Sequence, residues 1–156
     1  MRAGAITAAL GIIIGAVAPG FAAEPQAAAT AAAAGDAGAS VFASRCAVCH
    51  GPQAAGIPGS FPPLREQVVA FAKIPQGRDY LVMVVTTGLM GSLAVSGINY
   101  NGVMPAQSGL SDAEVAAVLN YLATAALSAA DVIDARARHD DKSAQATRTL
   151  RPATVP

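Results

Sequence analysis

The chain has 156 residues, with ten basic and ten acidic side chains, two histidines, two cysteines and no tryptophan. Charged residues make up only 13% of it, and Lys and Arg do not form a cluster of their own, which excludes a nucleic-acid patch built from grouped Lys and Arg. The mean hydropathy of +0.45 is raised by alanine and by the first twenty residues, so it does not argue for an integral membrane protein.

Met1-Arg2 carries one positive charge ahead of the nearly wholly apolar residues 3–18, and small residues follow at Gly20 and Ala22. This order is that of a secretory signal peptide, with cleavage after Ala22 or Ala23. The alternative is a retained membrane anchor through residues 3–18, because the run approaches the length that spans a bilayer. Both place the rest of the chain in an extracytoplasmic compartment. Loss of Arg2 with the leader takes the net charge from zero to minus one.

Residues 24–36 are Ala, Gly and polar residues with no large apolar side chain, so they form a flexible lead-in. A compact unit is expected over 37–127. Its first helix runs from about Ala37 to Val48, with Val41 and Phe42 inward, and ends in Cys46-Ala47-Val48-Cys49-His50. A C-x-x-C-H run is the attachment sequence of a c-type haem: two thiols within one helical turn form thioethers to the porphyrin, and the adjoining imidazole ligates iron. The rival readings are short of partners. Structural zinc takes four ligands, and beyond these three the chain offers only His139 in a polar tail. A thioredoxin-like pair belongs beside a βαβ pattern, which the flanks lack. A plain Cys46–Cys49 disulfide, permitted by export, leaves His50 without a purpose.

The loop after His50 is broken by Gly51, Pro52, Gly56, Pro58, Gly59, Pro62 and Pro63. Leu64 to Lys73 and Arg78 to Thr87 read as helices, the second stopped by Gly88, although Val82, Val84 and Val85 also suit a strand. Gly91 to Gly102 is glycine-punctuated and extended, and Tyr100 to Pro105 reads as irregular loop. Ser111-Asp112-Ala113-Glu114 is a capping box opening a helix to Thr124, with Val115, Val118, Leu119 and Leu122 at helical spacing. Ser128 and Asp131 repeat the device before a short helix, Val132 to His139. The polar residues from Asp140 onward are expected to be disordered. A covalently held group would supply the centre that about ninety residues need for a self-supporting core.

The second iron ligand decides whether such a site is sealed or open to exogenous molecules. Met83 lies in an apolar helix and reads as core filler, Met90 follows the Gly88 stop, and His139 is in the tail. Met104 is favoured, because its loop can approach the haem face opposite His50 and Pro105 keeps its backbone extended.

With these residues in order, the chain resembles class I c-type cytochromes, in the group of small bacterial monohaem domains. The resemblance rests on Gly38, Phe42, Cys46 to Gly51, Phe61-Pro62-Pro63-Leu64, Tyr100 to Pro105, Leu110 to Glu114 and Asn120-Tyr121-Leu122. It implies an all-α fold of three to five helices around one haem c, covalent through Cys46 and Cys49, with His50 and Met104 as axial metal ligands. It further implies that the first and last helices cross at Gly38, with Phe42 near Val118 and Tyr121. It makes the Pro63 carbonyl the acceptor for the His50 Nδ1–H, and it puts Tyr100 and Asn101 near the propionates. The implied function is one-electron transfer between a redox protein donor and acceptor in a respiratory chain, with no catalytic residue of its own. A cytochrome subunit of a dehydrogenase or terminal oxidase complex is the alternative, and a gas-binding or peroxidatic haem protein a third. The four basic and four acidic residues between Ala37 and Leu127 give no steering patch toward any partner.

Overall fold

The computed structural model describes residues 35–140 and 143–153. The expected leader and nearly all of the lead-in therefore lie outside the described residues.

Helix α1 covers residues 35–50 and contains a π turn, Phe42–Cys46, before a closing α turn, Ala47–His50. Helix α2 is Arg65–Ala72 and α3 is Pro75–Thr87. The strands β1, Leu89–Val95, and β2, Ile98–Met104, pair antiparallel. Helix α4 is Asp112–Ala123, α5 is Ala129–Arg138, and α6 is Ala144–Thr147, which runs into a 3-10 turn, Arg148–Leu150. The expectation of an all-α chain is thus met for most of the molecule and amended by one hairpin. The extended reading of 91–102 becomes that hairpin, because Gly97 at φ +78° and Ser96 at φ +49° make the two-residue reversal between facing strands. Helix α3 begins before Arg78, with Pro75 at its first turn, where a missing N–H costs nothing.

Both expected capping boxes form. Ser111 Oγ accepts from the Glu114 amide while the Glu114 carboxylate accepts from the Ser111 amide at 2.8 Å, and Ser128 and Asp131 repeat this at 2.7 Å. Helix α4 ends at Thr124 in the left-handed region, and the Asn120 side chain spans the turn with hydrogen bonds of 2.8 Å to both the carbonyl and amide of Leu127.

The core is one cluster. Phe42, Val115 and Val118 from α1 and α4 meet Val68 and Phe71 of α2, Val82 of α3, and Val132 and Ala135 of α5, all at 5% exposure or less. Helix α5 packs on α3 and α4 and belongs to this core. At the α1–α4 crossing, a side chain on Gly38 would run into the Ala117 carbonyl, and the Phe42 and Tyr121 rings stand 5.6 Å apart. The Arg65 guanidinium lies over the Tyr121 ring at 5.3 Å.

Residues 143–153 are ordered, contrary to expectation. The reason is burial: Thr147 is fully enclosed, Pro152 is buried, and the Arg151 guanidinium lies over the Phe71 ring at 5.3 Å and donates to Gln67 at 3.0 Å. Arg148 reaches the Ser92 carbonyl, so the segment straps β1 to α2 and α3. Asp79 at the start of α3 receives Arg138 at 2.7 Å and His139 at 3.2 Å, which anchors the end of α5.

Candidate functional site

The π turn delivers the site. In it the Ala47 N–H donates to the Phe42 carbonyl, one residue farther back than in an α-helix, so one extra residue is accommodated just before the last turn. That insertion sets the phase of Cys46, Cys49 and His50 relative to the Phe42 face buried against α4. Cys46 and Cys49 are both free thiols and both partly exposed. Val48 between them points outward, at 83% exposure. Burial pushes the Cys46 thiol up, and the neighbouring Cys49 adds to the shift.

His50 is buried at 6% exposure. Its Nδ1 donates to the Pro62 carbonyl at 2.9 Å, and this corrects the expectation that Pro63 is the acceptor. The loop geometry explains the shift by one residue. The Gly56 amide donates to the His50 carbonyl at 2.8 Å, Ile57 bridges to Phe61, and Leu64 donates to Ala54 at 2.9 Å. These bonds fold residues 51–64 back over the histidine with the Pro62 carbonyl inward. Gly56, at φ +71°, lies so close to Phe61 and Pro62 that a side chain there would strike their backbone. Phe61 completes the wall, edge-on to the His50 ring at 6.3 Å.

Burial lowers the His50 pKa, and the hydrogen bond to Pro62 opposes this only in part. The imidazole is therefore neutral at neutral pH, with Nδ1 committed and Nε2 without a hydrogen-bond partner among the described residues. Two free thiols on one turn and a neutral, pre-oriented imidazole nitrogen are the donors a covalently attached haem needs.

Met104 is the last residue of β2, paired with Leu89, and half-buried. It is thus held on a strand rather than in the irregular loop expected. Val103, before it, points to the other face at 60% exposure beside Met90, at 42%. Met83 is core at 3% exposure, and His139 is bound to Asp79. Tyr100 is buried at 5% and Asn101 is exposed. The two lie on opposite faces of β2, so the hairpin does not bring them together. The π turn and the Pro62 acceptor were missed in the sequence. Gly56, five residues before Phe61, was the one signal for a tightly folded loop.

A helical shell, a buried histidine beside two free cysteines, and a loop folded over that histidine define a small monohaem c-type cytochrome domain. Residues 33–122, more than half of the chain, match the family described as cytochrome c oxidase, cbb3-type, subunit III, and the chain belongs to that family. It is similar to cytochrome c-552 of Thermus thermophilus, with 48% identity over 88 residues that make up 56% of this chain and 66% of that protein. It is equally similar to a second cytochrome c-552 from a named strain of the same species, at 48% identity over 88 residues, which cover 56% of this chain and 59% of that protein. The chain therefore spans somewhat less than two thirds of the length of either relative. Electron transfer through a covalent haem c is the family's chemistry, and Cys46 and Cys49 have the spacing for its attachment. Among the described residues no helix is long and apolar enough to cross a membrane.

Proposed function

We propose that this protein is a one-electron carrier of an extracytoplasmic compartment, with one haem c attached through Cys46 and Cys49, His50 as proximal ligand and Met104 as distal ligand. The observation that carries this reading is His50: buried, neutral, its Nδ1 fixed on the Pro62 carbonyl and its Nε2 left for iron. When bound, the haem supplies a reversible ferric/ferrous couple. The chain's own residues supply orientation and electronics. The Pro62 carbonyl strengthens His50 as a donor, which favours the ferric state, while a soft methionine sulfur on the opposite side favours the ferrous state and raises the potential. Phe42, Val82 and Val118, each at 1% exposure or less, belong to the core on which the site is built, and with both axial positions supplied by the chain the iron would change oxidation state without ligand exchange. Residues 37–127 form the haem domain in this reading, helix α5 completes its core, and residues 143–153 form a strap across it.

Replacing Met104 with alanine should leave the haem covalently attached, lower the reduction potential and open the ferrous iron to carbon monoxide. An unchanged potential in Met104→Ala refutes the ligand assignment. A second reading, that the domain serves as the electron-transfer subunit of a terminal oxidase complex, is favoured by the description of the matching family. The untagged protein in native extract would then co-purify with oxidase subunits, whereas a single monomeric species supports the free carrier.

A further inference from the structure

The segment that carries Met104 closes onto the end of α3 most tightly at Gly88. This glycine has φ +88° and ψ −178°, a region essentially restricted to glycine. A Cβ built on it would lie 2.6 Å from the Met104 carbonyl oxygen, 2.9 Å from the Ala106 nitrogen and 3.2 Å from the Pro105 carbonyl carbon. All three are backbone atoms, which cannot rotate out of the way. The same closure is tied by a hydrogen bond of 2.9 Å from the Gln107 amide to the Val85 carbonyl, and by the pairing of Leu89 with Met104. Helix α3 is in turn fixed by Leu81, Val82 and Met83, each buried to 6% exposure or less.

From this contact we infer that Gly88 is a positioning residue for the distal iron ligand. By admitting the Met104–Ala106 backbone into contact with the end of α3, it fixes where the Met104 side chain begins. The inference rests on the assignment of Met104 made above. Pro105 contributes by holding Met104 extended, and Gly88 with the Val85–Gln107 bond holds the segment against the core. A methyl group at 88 pushes the segment outward and lengthens the reach required of the methionine sulfur.

The test compares Gly88→Ala with Gly97→Ala in the holoprotein. Gly97 also has positive φ, at +78°, in the same hairpin, but a side chain there meets nothing within 4 Å. Backbone strain is common to both positions, whereas the clash of a Cβ with three backbone atoms arises only at 88 and is worth about ten- to a hundredfold in an equilibrium. Gly88→Ala should therefore shift the equilibrium away from methionine ligation about tenfold or more, read as a weaker sulfur-to-iron band in the ferric protein, a lower potential and a carbon monoxide shift in the ferrous protein, while Gly97→Ala shows none of the three. A wild type that shows the band, with Gly88→Ala indistinguishable from it, overturns this inference alone. A wild type without the band overturns the Met104 assignment and the inference with it. If Gly88→Ala accumulates no holoprotein, the wild type decides. Coupling is reciprocal, so displacing Met104 with cyanide should speed hydrogen exchange of the Gln107 amide about tenfold. Unchanged protection of that amide overturns the proposal.

Discussion

Gly38→Ala sets two physical effects against each other. Alanine is a better helix former than glycine by about 1 kcal/mol, so helix propensity alone predicts a more stable protein. The structure reverses the sign. A Cβ at 38 falls onto the Ala117 carbonyl and within 2.8 Å of both the Ala117 carbonyl carbon and the Tyr121 Cβ. Two of these neighbours are backbone atoms in the middle of α4, so relief requires α1 and α4 to move apart and disturbs the Phe42–Tyr121 contact. Overpacking of this kind costs about 1–3 kcal/mol. After subtracting the propensity gain, the net destabilisation is up to about 2 kcal/mol, a fall of up to about 8 °C in midpoint for a chain of this size. Gly35, in the same helix, has nothing within 4 Å of its Cβ position, so Gly35→Ala isolates the propensity term and should gain up to about 1 kcal/mol. Thermal unfolding of the two holoproteins, haem covalently retained in both, reads the difference directly. Equal stabilisation by both substitutions would refute the close-crossing account of α1 and α4.

Gly56→Ala should push the Pro62 carbonyl away from His50; the weaker donor then raises the reduction potential, and an unchanged potential would show that the hydrogen bond does not tune the iron. The hydrogen bond from Arg138, helped by His139, holds the Asp79 carboxyl below its ordinary range against a smaller opposing effect of burial. Its contribution is therefore complete above the unfolded carboxylate value of about 4 and is lost as pH falls through the lowered folded value. Acid titration of stability should show this loss in the wild type and a shallower one in Arg138→Ala, and identical profiles would exclude the anchor. Ending the chain after residue 142 removes the enclosed Thr147 and the Arg151 cover of Phe71, and should cost about 2 kcal/mol or more; denaturant midpoints that coincide with those of the full chain would show that the strap contributes nothing.

The attachment motif and the two capping boxes were legible because each is local: its physics is contained in four or five consecutive residues, as in Ser111 to Glu114. Gly38 was legible as a close contact because a glycine inside a good helix needs a tertiary reason. The hairpin was harder to read, since β-pairing of residues 89–104 depends on partners up to fifteen positions apart and its strands lack a clean alternation of apolar and polar side chains. The strap at 143–153 was misread from polarity. Its order comes from an arginine laid on an aromatic ring and one threonine enclosed by distant elements, and neither leaves a periodic pattern in the sequence. The Pro62–Pro63 pair shows the remaining gap: two adjacent prolines offer the same carbonyl chemistry, and only the fold of the loop selects between them.

The central claim is a covalently attached haem with histidine and methionine on its two sides. Absorption spectra of the oxidised and dithionite-reduced protein, produced in the periplasm of a host that attaches haem and finished by adding carbon monoxide, test it most directly. The account predicts sharp reduced bands, a weak long-wavelength sulfur-to-iron band in the oxidised form and no carbon monoxide shift. A missing sulfur band together with a carbon monoxide shift would contradict it and make the sixth position of the iron an open site.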